Sequence, residues 1–178
     1  SFAEMCQLEA NVASRVHHGN ICQVYSLGRD HETLYMALEY VDGKDLKTLS
    51  ERLRAVGERM PIAEACTILA AVCEGLDYAH HKLDTDGSPL KLVHRDVSPP
   101  NVLVSFEGQV KLIDFGLAKI NRPSYETKSG TIKGKLAYLS PEQMMGDPLD
   151  GRSDVYAAGI VMFELLTGRR MFGRDSDV

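Results

Sequence analysis

One short run constrains this chain more than any other: His94-Arg95-Asp96-Val97-Ser98-Pro99-Pro100-Asn101. It lies between the longest helical pattern in the chain and a predicted hairpin. An Asp and an Asn five residues apart converge on one point only if the loop between them folds tightly, and Pro99-Pro100 stiffens it. Thirteen residues past Asn101, Asp114 ends an apolar strand and is followed by Phe115-Gly116. A carboxylate and an amide oxygen together make a hard oxygen site suited to Mg²⁺. Asp96 is then left to accept or orient a proton.

The remaining pattern is that of one mixed domain. Phe2, Met5, Leu8, Val12 and Val16 recur at helical spacing and predict a helix over 2–16. Two strands are expected over 21–27 and 33–41, with Gly28-Arg29-Asp30 as the turn between them. Asp45 is placed to cap a short helix beginning near Leu46. Pro61 opens a long helix reaching about Lys82, with Ile62, Cys66, Leu69, Val72, Cys73 and Leu76 as its apolar face. A polar loop from Asp84 to Pro89 follows. Next come short apolar segments at Leu92-Val93, 102–104 and 110–113, the last two joined as a hairpin across Gly108. Residues 115–140 read as a long loop, which inside a compact domain is usually functional. A last helix is expected over 153–167, with Ser153 as cap, Val155, Ile160, Phe163 and Leu166 as apolar positions, and Gly168 as its stop.

Bulk properties exclude several classes. Apolar residues make up 44% of 178, an ordinary globular composition. The net charge is -5 with both signs interleaved, so there is no basic stripe for nucleic acid. No apolar run approaches the roughly 20 residues of a membrane helix. Ser1-Phe2-Ala3-Glu4 does not begin like a signal peptide. The four cysteines, Cys6, Cys22, Cys66 and Cys73, have no zinc spacing and are expected to be buried, reduced thiols. A cytoplasmic setting is therefore expected, with no membrane segment in this chain.

Three motifs in order resemble those of a protein kinase catalytic domain: His94-Arg95-Asp96 with Asn101, Asp114-Phe115-Gly116, and Ser140-Pro141-Glu142. The wording Val97-Ser98-Pro99, Gly134-Lys135 and Ser140-Pro141-Glu142-Gln143 is most similar to bacterial Ser/Thr kinases, including those of myxobacterial type. The resemblance implies an α+β, kinase-like fold that is partial. A remnant of the N-lobe (the family's C helix plus two or more strands, with the hinge strand) would occupy 1–41. A mainly helical C-lobe would occupy 42–178, with the catalytic loop at 94–101 and the activation segment at 114–142. The chain is expected to be one partial domain truncated at both ends, without the family's Gly-rich loop or its ATP-pairing Lys.

The same resemblance implies roles. Asn101 and Asp114 would hold Mg²⁺ on the phosphates of ATP, and Asp96 would take the proton of an acceptor hydroxyl. Glu9 would be the ion-pairing Glu of the C helix, although read alone it is a solvated acid like Glu4. Leu38 would stand at the back of the adenine pocket, the backbone of Glu39 and Val41 would bond adenine, and Asp45 would reach the ribose. Pro100 falls among the nucleotide-binding positions. Leu103 would lie under the ring, or serve as plain core. Ala13, Val24, His94 and Phe115 match an apolar column that the family stacks across its lobes. Asp154 matches a buried aspartate that holds the catalytic loop; read alone it is a helix-start acid. Thr131 matches the activating phosphosite, with Ser124, Thr127 and Ser129 as competing hydroxyls, and Arg95 and Lys119 would receive the phosphate.

Two positions depart from the family pattern. Ser98 stands where Ser/Thr kinases usually carry Lys, and Lys135 where the next loop usually carries Thr. This pairing suggests that Lys135 resupplies the missing charge at the γ-phosphate. The expected activity is transfer of the γ-phosphoryl group of ATP to Ser or Thr of protein substrates, with tyrosine specificity left open. The alternatives are a pseudokinase scaffold, an inactive truncated piece, and a small-molecule phosphotransferase of related fold.

Overall fold

The computed structural model describes residues 15–31, 33–115 and 136–172. The expected helix over 2–16 lies outside them except for Arg15 and Val16, which are not helical. Strands β1 (Val24–Asp30) and β2 (Thr33–Leu38) pair antiparallel into a two-stranded sheet. Gly28-Arg29-Asp30, expected as the turn, belongs to the strand, and His31 sits in the turn with φ 51°. Gly28 lies opposite Tyr35, whose ring a Cβ would meet at 2.2 Å, so the glycine admits a cross-strand aromatic. β2 ends at Leu38, short of the expected Val41.

A three-stranded antiparallel sheet follows in the order β3 (Gly43–Asp45), β4 (Val102–Ser105), β5 (Val110–Leu112). The hairpin across Gly108 forms as expected, and that glycine has φ 85°. The segment 20–22 runs along the free edge of β5: Leu112 N donates to Asn20 O, and Cys22 N to Leu112 O, both at 2.8 Å. Leu92-Val93 forms no strand; Leu92 packs beside Val16, Ile21 and Ala79.

Asp45 caps α1 (Leu46–Ala55), accepting from Thr48 N at 2.9 Å, as expected. The long helix α2 runs Ile62–His80. Its inward face is Ala65, Ile68, Leu69, Val72, Gly75, Leu76 and Ala79, whereas Ile62, Cys66 and Cys73 are exposed. Apolar residues surround this helix, and one close approach marks its inward side. At Gly75 a Cβ would meet Asn20 O at 3.2 Å and Leu112 Cδ1 at 3.4 Å. The buried-thiol expectation therefore holds for Cys22 and fails for Cys66 and Cys73; Cys6 lies outside the described residues.

Two further helices follow, α3 (Pro141–Met145) and α4 (Gly151–Thr167). α4 starts earlier than expected because Asp150, not Ser153, caps it, accepting from Arg152 N at 2.9 Å. Ser153 is buried and donates instead to Glu142 Oε1 at 2.6 Å. Val155 and Phe163 are exposed, while Ala157, Ala158, Val161 and Leu165 enter the core. Gly168 ends α4 with φ 69°. One apolar core joins α1, α2, α4 and the three-stranded sheet, with Leu46, Val72, Val102, Leu112 and Val161 fully buried. At about 1.5–3 kcal/mol for each such side chain, this core fixes where both ends of the loop 91–101 emerge.

Candidate functional site

The loop that carries Asp96 is held from beneath. Residues 91–98 have no regular structure, and Pro99–Asn101 form one 3₁₀ turn before β4. Arg95 has φ 66°, a left-handed conformation that costs a non-glycine residue energy. Asp154, 1% exposed in the first turn of α4, supplies the compensation. Its Oδ2 accepts from His94 N and its Oδ1 from Arg95 N, each at 2.8 Å. His80, the last residue of α2, sets Nε2 at 2.8 Å from the same Oδ2. Gly151 makes room for that ring, since a Cβ there would lie 2.5 Å from His80 Nδ1. On the other side of the strained residue, the Arg95 carbonyl accepts from Gln143 Nε2 at 2.9 Å.

His94 is fully buried, with its ring against Phe115 at a centroid distance of 4.6 Å. Burial holds its pKa below the ordinary histidine value, although Asp154, the Ile113 carbonyl, Asp96 and Asp114 all pull the other way. The neutral ring donates from Nε2 to Ile113 O at 2.9 Å, and Nδ1 faces Asp96 N at 3.3 Å.

Asn101 is bonded directly to Asp96, and Asp114 follows a residue that is bonded to Asn101. Asn101 Nδ2 donates to Asp96 O at 2.8 Å, and Asn101 O accepts from Ile113 N at 3.0 Å. The residue before Asp114 is thus stapled to Asn101, and Asn101 to Asp96. Asp114 has φ 63° and an exposed side chain. With Nδ2 committed to Asp96, Asn101 keeps its amide oxygen for a ligand, and with the Asp114 carboxylate this donor set fits Mg²⁺. Among the described residues no three His, Cys, Asp or Glu form a metal site by themselves. Such an ion would rely on phosphate oxygens as well. Ser98 is buried, its Oγ 3.4 Å from Asp96 O.

The residues that the resemblance assigns to the nucleotide lie as follows. Asp45, Leu103 and Lys111 are cross-strand partners and share one face of the three-stranded sheet. Hydrogen bonds from Thr48 outweigh burial and lower the Asp45 pKa. Leu38, Val24, Asp114 and Phe115 help line a cavity of about 170 Å³. Glu39 follows β2, and Val41 lies in the linker to β3. Pro100 is exposed in the 3₁₀ turn. Of the expected column, His94 packs against Phe115, and Val24 and Phe115 line the same cavity. Glu9, Ala13, Lys119, Thr131 and Lys135 lie outside the described residues.

Three participants, His80, Lys111 and Gln143, have no role in the sequence expectations. His80 reads as a helix-end base, and Lys111 as simple strand alternation. Gln143 carried a usable signal: Ser140-Pro141-Glu142-Gln143 is a capping box, formed with Ser140 N to Gln143 Oε1 at 3.0 Å. Tyr138 donates to Glu164 Oε2 at 2.7 Å, a pairing across 26 residues with no local signature.

Comparison with known proteins agrees with this geometry. The protein kinase domain family model matches residues 2–178. The chain is 38% identical over 99% of its length to a tyrosine-protein kinase, MasK, of Myxococcus xanthus, of which it covers 27%. It is 37% identical over 99% of its length to the serine/threonine-protein kinase PrkC of Bacillus subtilis, covering 26%. The chain therefore spans about a quarter of the length of these two relatives. The crystal structure of the Mycobacterium tuberculosis PknI kinase domain superposes with a TM-score of 0.73 at 32% identity, covering 98% of this chain and 60% of that one. The fold is that of the protein kinases, and the chain belongs to the protein kinase domain family.

Proposed function

We propose that this chain is the phosphoryl-transfer region of a protein serine/threonine kinase that uses ATP and Mg²⁺. The observation that supports the reading is the staple from Asp96 through Asn101 to Ile113, the residue that precedes Asp114. Asp96 orients the acceptor hydroxyl and takes its proton. Asn101 and Asp114 hold the metal, which when bound neutralises charge on the phosphates. Asp45 reaches the ribose, Leu103 supports adenine from below, and Leu38, Glu39, Val41 and Pro100 complete the nucleotide side. Catalysis here is mostly positioning and electrostatics.

In the same reading 1–178 is one kinase unit, with 1–41 on the N-lobe side and 42–178 on the C-lobe side. Glu9 pairs with a lysine of the N-lobe, Lys135 steadies the γ-phosphate in place of the residue at Ser98, and Thr131 is the phosphosite read by Arg95 and Lys119. The acceptors are proteins. The donor is ATP, so the reaction belongs to the cytoplasm; among the described residues no helix is long and apolar enough to cross a membrane.

The test is phosphate transfer from labelled ATP by the protein expressed from its complete gene, followed by phosphoamino-acid analysis. Asp96→Asn should lower turnover by about 10²–10⁴-fold, the usual worth of a positioned base. Phosphotyrosine as the sole product would refute the serine/threonine assignment. Unchanged turnover in Asp96→Asn and Asp114→Asn would refute the mechanism.

A further inference from the structure

Lys111 is a charged residue in the middle of a strand, yet it is 8% exposed. Val110 and Leu112 enter the main core, so strand alternation turns Lys111 to the opposite face. There its Nζ lies 2.6 Å from Glu39 Oε1. Glu39 Oε2 accepts from Gln23 N at 3.1 Å, and Glu39 N donates to Gln23 O at 2.8 Å. The Glu39 carbonyl accepts from Cys22 Sγ at 3.4 Å. The first residue after β2 is thus gripped from the β5 side and the β1 side at once.

The linker it begins has little else to hold it. Tyr40 is 85% exposed, and the next backbone anchor is Phe106 N to Asp42 O at 2.9 Å. Lys111 is buried and Glu39 partly so; an ion pair drawn out of water contributes little net stability compared with an apolar pair of the same shape, and its best-attested use is to fix register. The sheet register supplies the second observation. Asp45, Leu103 and Lys111 form one cross-strand row. The first two are the residues assigned to the ribose and to the underside of adenine. The third ends on Glu39.

We propose that Lys111 is a positioning residue for the nucleotide: it clamps Glu39 to β5, so that the Glu39 carbonyl stays at a fixed height over Leu103 and accepts the exocyclic amine of adenine. The inference rests on the proposed use of ATP. It makes a chemical distinction, because guanine presents an oxygen where adenine presents that amine and gains nothing from a well-placed carbonyl.

The experiment compares Lys111→Met, Lys111→Arg and Glu39→Gln in the protein expressed from its complete gene, with ATP and GTP as alternative donors at fixed Mg²⁺. Lys111→Met should raise KM for ATP about fivefold to tenfold, the scale of one misplaced hydrogen bond. It should leave kcat at saturating ATP within about twofold and KM for GTP nearly unchanged. Lys111→Arg, which keeps charge and reach, should restore KM for ATP. An unchanged KM for ATP in Lys111→Met overturns the clamp, and so does an equal rise for both nucleotides, which marks general loosening. Should Lys111→Met not fold, Glu39→Gln carries the same test, since it removes the charge and keeps the shape. A wild-type protein that neither binds nor consumes ATP overturns the proposed function, and the clamp with it. An active wild type with unselective variants overturns the clamp alone.

Discussion

Asp154→Asn is the perturbation that most directly tests how the catalytic loop is held. The wild-type carboxylate is 1% exposed and receives three bonds at 2.8 Å, from His94 N, Arg95 N and His80 Nε2. Asparagine keeps the shape but offers one oxygen and one amide. The amide must face at least one N–H donor, leaving that donor buried and unpaired at a cost of about 1–3 kcal/mol. The remaining bonds lose their charge-assisted character, worth about 1 kcal/mol each. Relief of the buried charge offsets part of this, so the net loss is about 3 kcal/mol. It should appear locally, because Arg95 at φ 66° relaxes once its amide is released. Hydrogen exchange at the His94 and Arg95 amides is the assay, and protection there should fall about a hundredfold. Turnover should fall with it, while exchange in β1 and β2 stays unchanged. Protection at His94 and Arg95 within about twofold of wild type would refute the claim that Asp154 holds the loop.

Three other outcomes follow from the same geometry. Gly151→Ala sets a Cβ 2.5 Å from His80 Nδ1, so the ring must leave Asp154; despite the better helix former, stability should drop by about 1–2 kcal/mol in chemical denaturation. Because burial lowers the His94 pKa, the folded state binds fewer protons than the unfolded one below the ordinary histidine value of about 6.5. Stability should therefore be complete above that pH and decline as pH falls below it, and His94→Phe should flatten the decline in unfolding curves taken between about pH 5 and 7.5. Tyr138→Phe strips the 2.7 Å bond from Glu164, whose other oxygen is already buried without a partner among the described residues. It should cost about 1.5–3 kcal/mol, more than Glu164→Gln, which keeps an acceptor for the Tyr138 hydroxyl. Equal losses in the two variants would count against that account.

What could be read from the sequence divides along a physical line. Asp45 and Gly168 obey local rules, a side-chain cap and a left-handed stop, and both behave as expected. Asp150 and Ser153 are both good caps, and nothing local ranks them; Ser153 is drawn away by Glu142, eleven residues earlier. On α2, Leu69, Val72 and Leu76 face inward as expected, whereas Ile62, Cys66 and Cys73, just as apolar, face outward. Gly75 faces inward where a side chain would crowd Asn20 O, Ile21 and Leu112. The turn near Gly28 was misplaced for a related reason, since that glycine serves the Tyr35 ring and not a change of chain direction.

The candidate site divides the same way. Phosphoryl transfer needs particular atoms, a carboxylate and an amide oxygen beside a second carboxylate, and the spacing of Asp96, Asn101 and Asp114 announces them. Holding those atoms needs only a donor or acceptor at the right point in space. His80 reaches Asp154 across 74 residues, and Gln143 reaches Arg95 across 48. Many residue types could serve at such points, and no short motif marks them. Two residues of the candidate site, Asp114 and Arg95, stand in left-handed conformations that are unfavourable in isolation. Arg95 keeps that conformation because both of its peptide groups are bonded, on one side to Asp154 and on the other to Gln143. The reactive geometry is therefore a property of α2, α3 and α4 as much as of the loop itself. A substitution at His80 or Gln143, neither of which touches the nucleotide in this reading, should lower turnover by releasing Arg95, and should do so without changing the spacing that made the site readable.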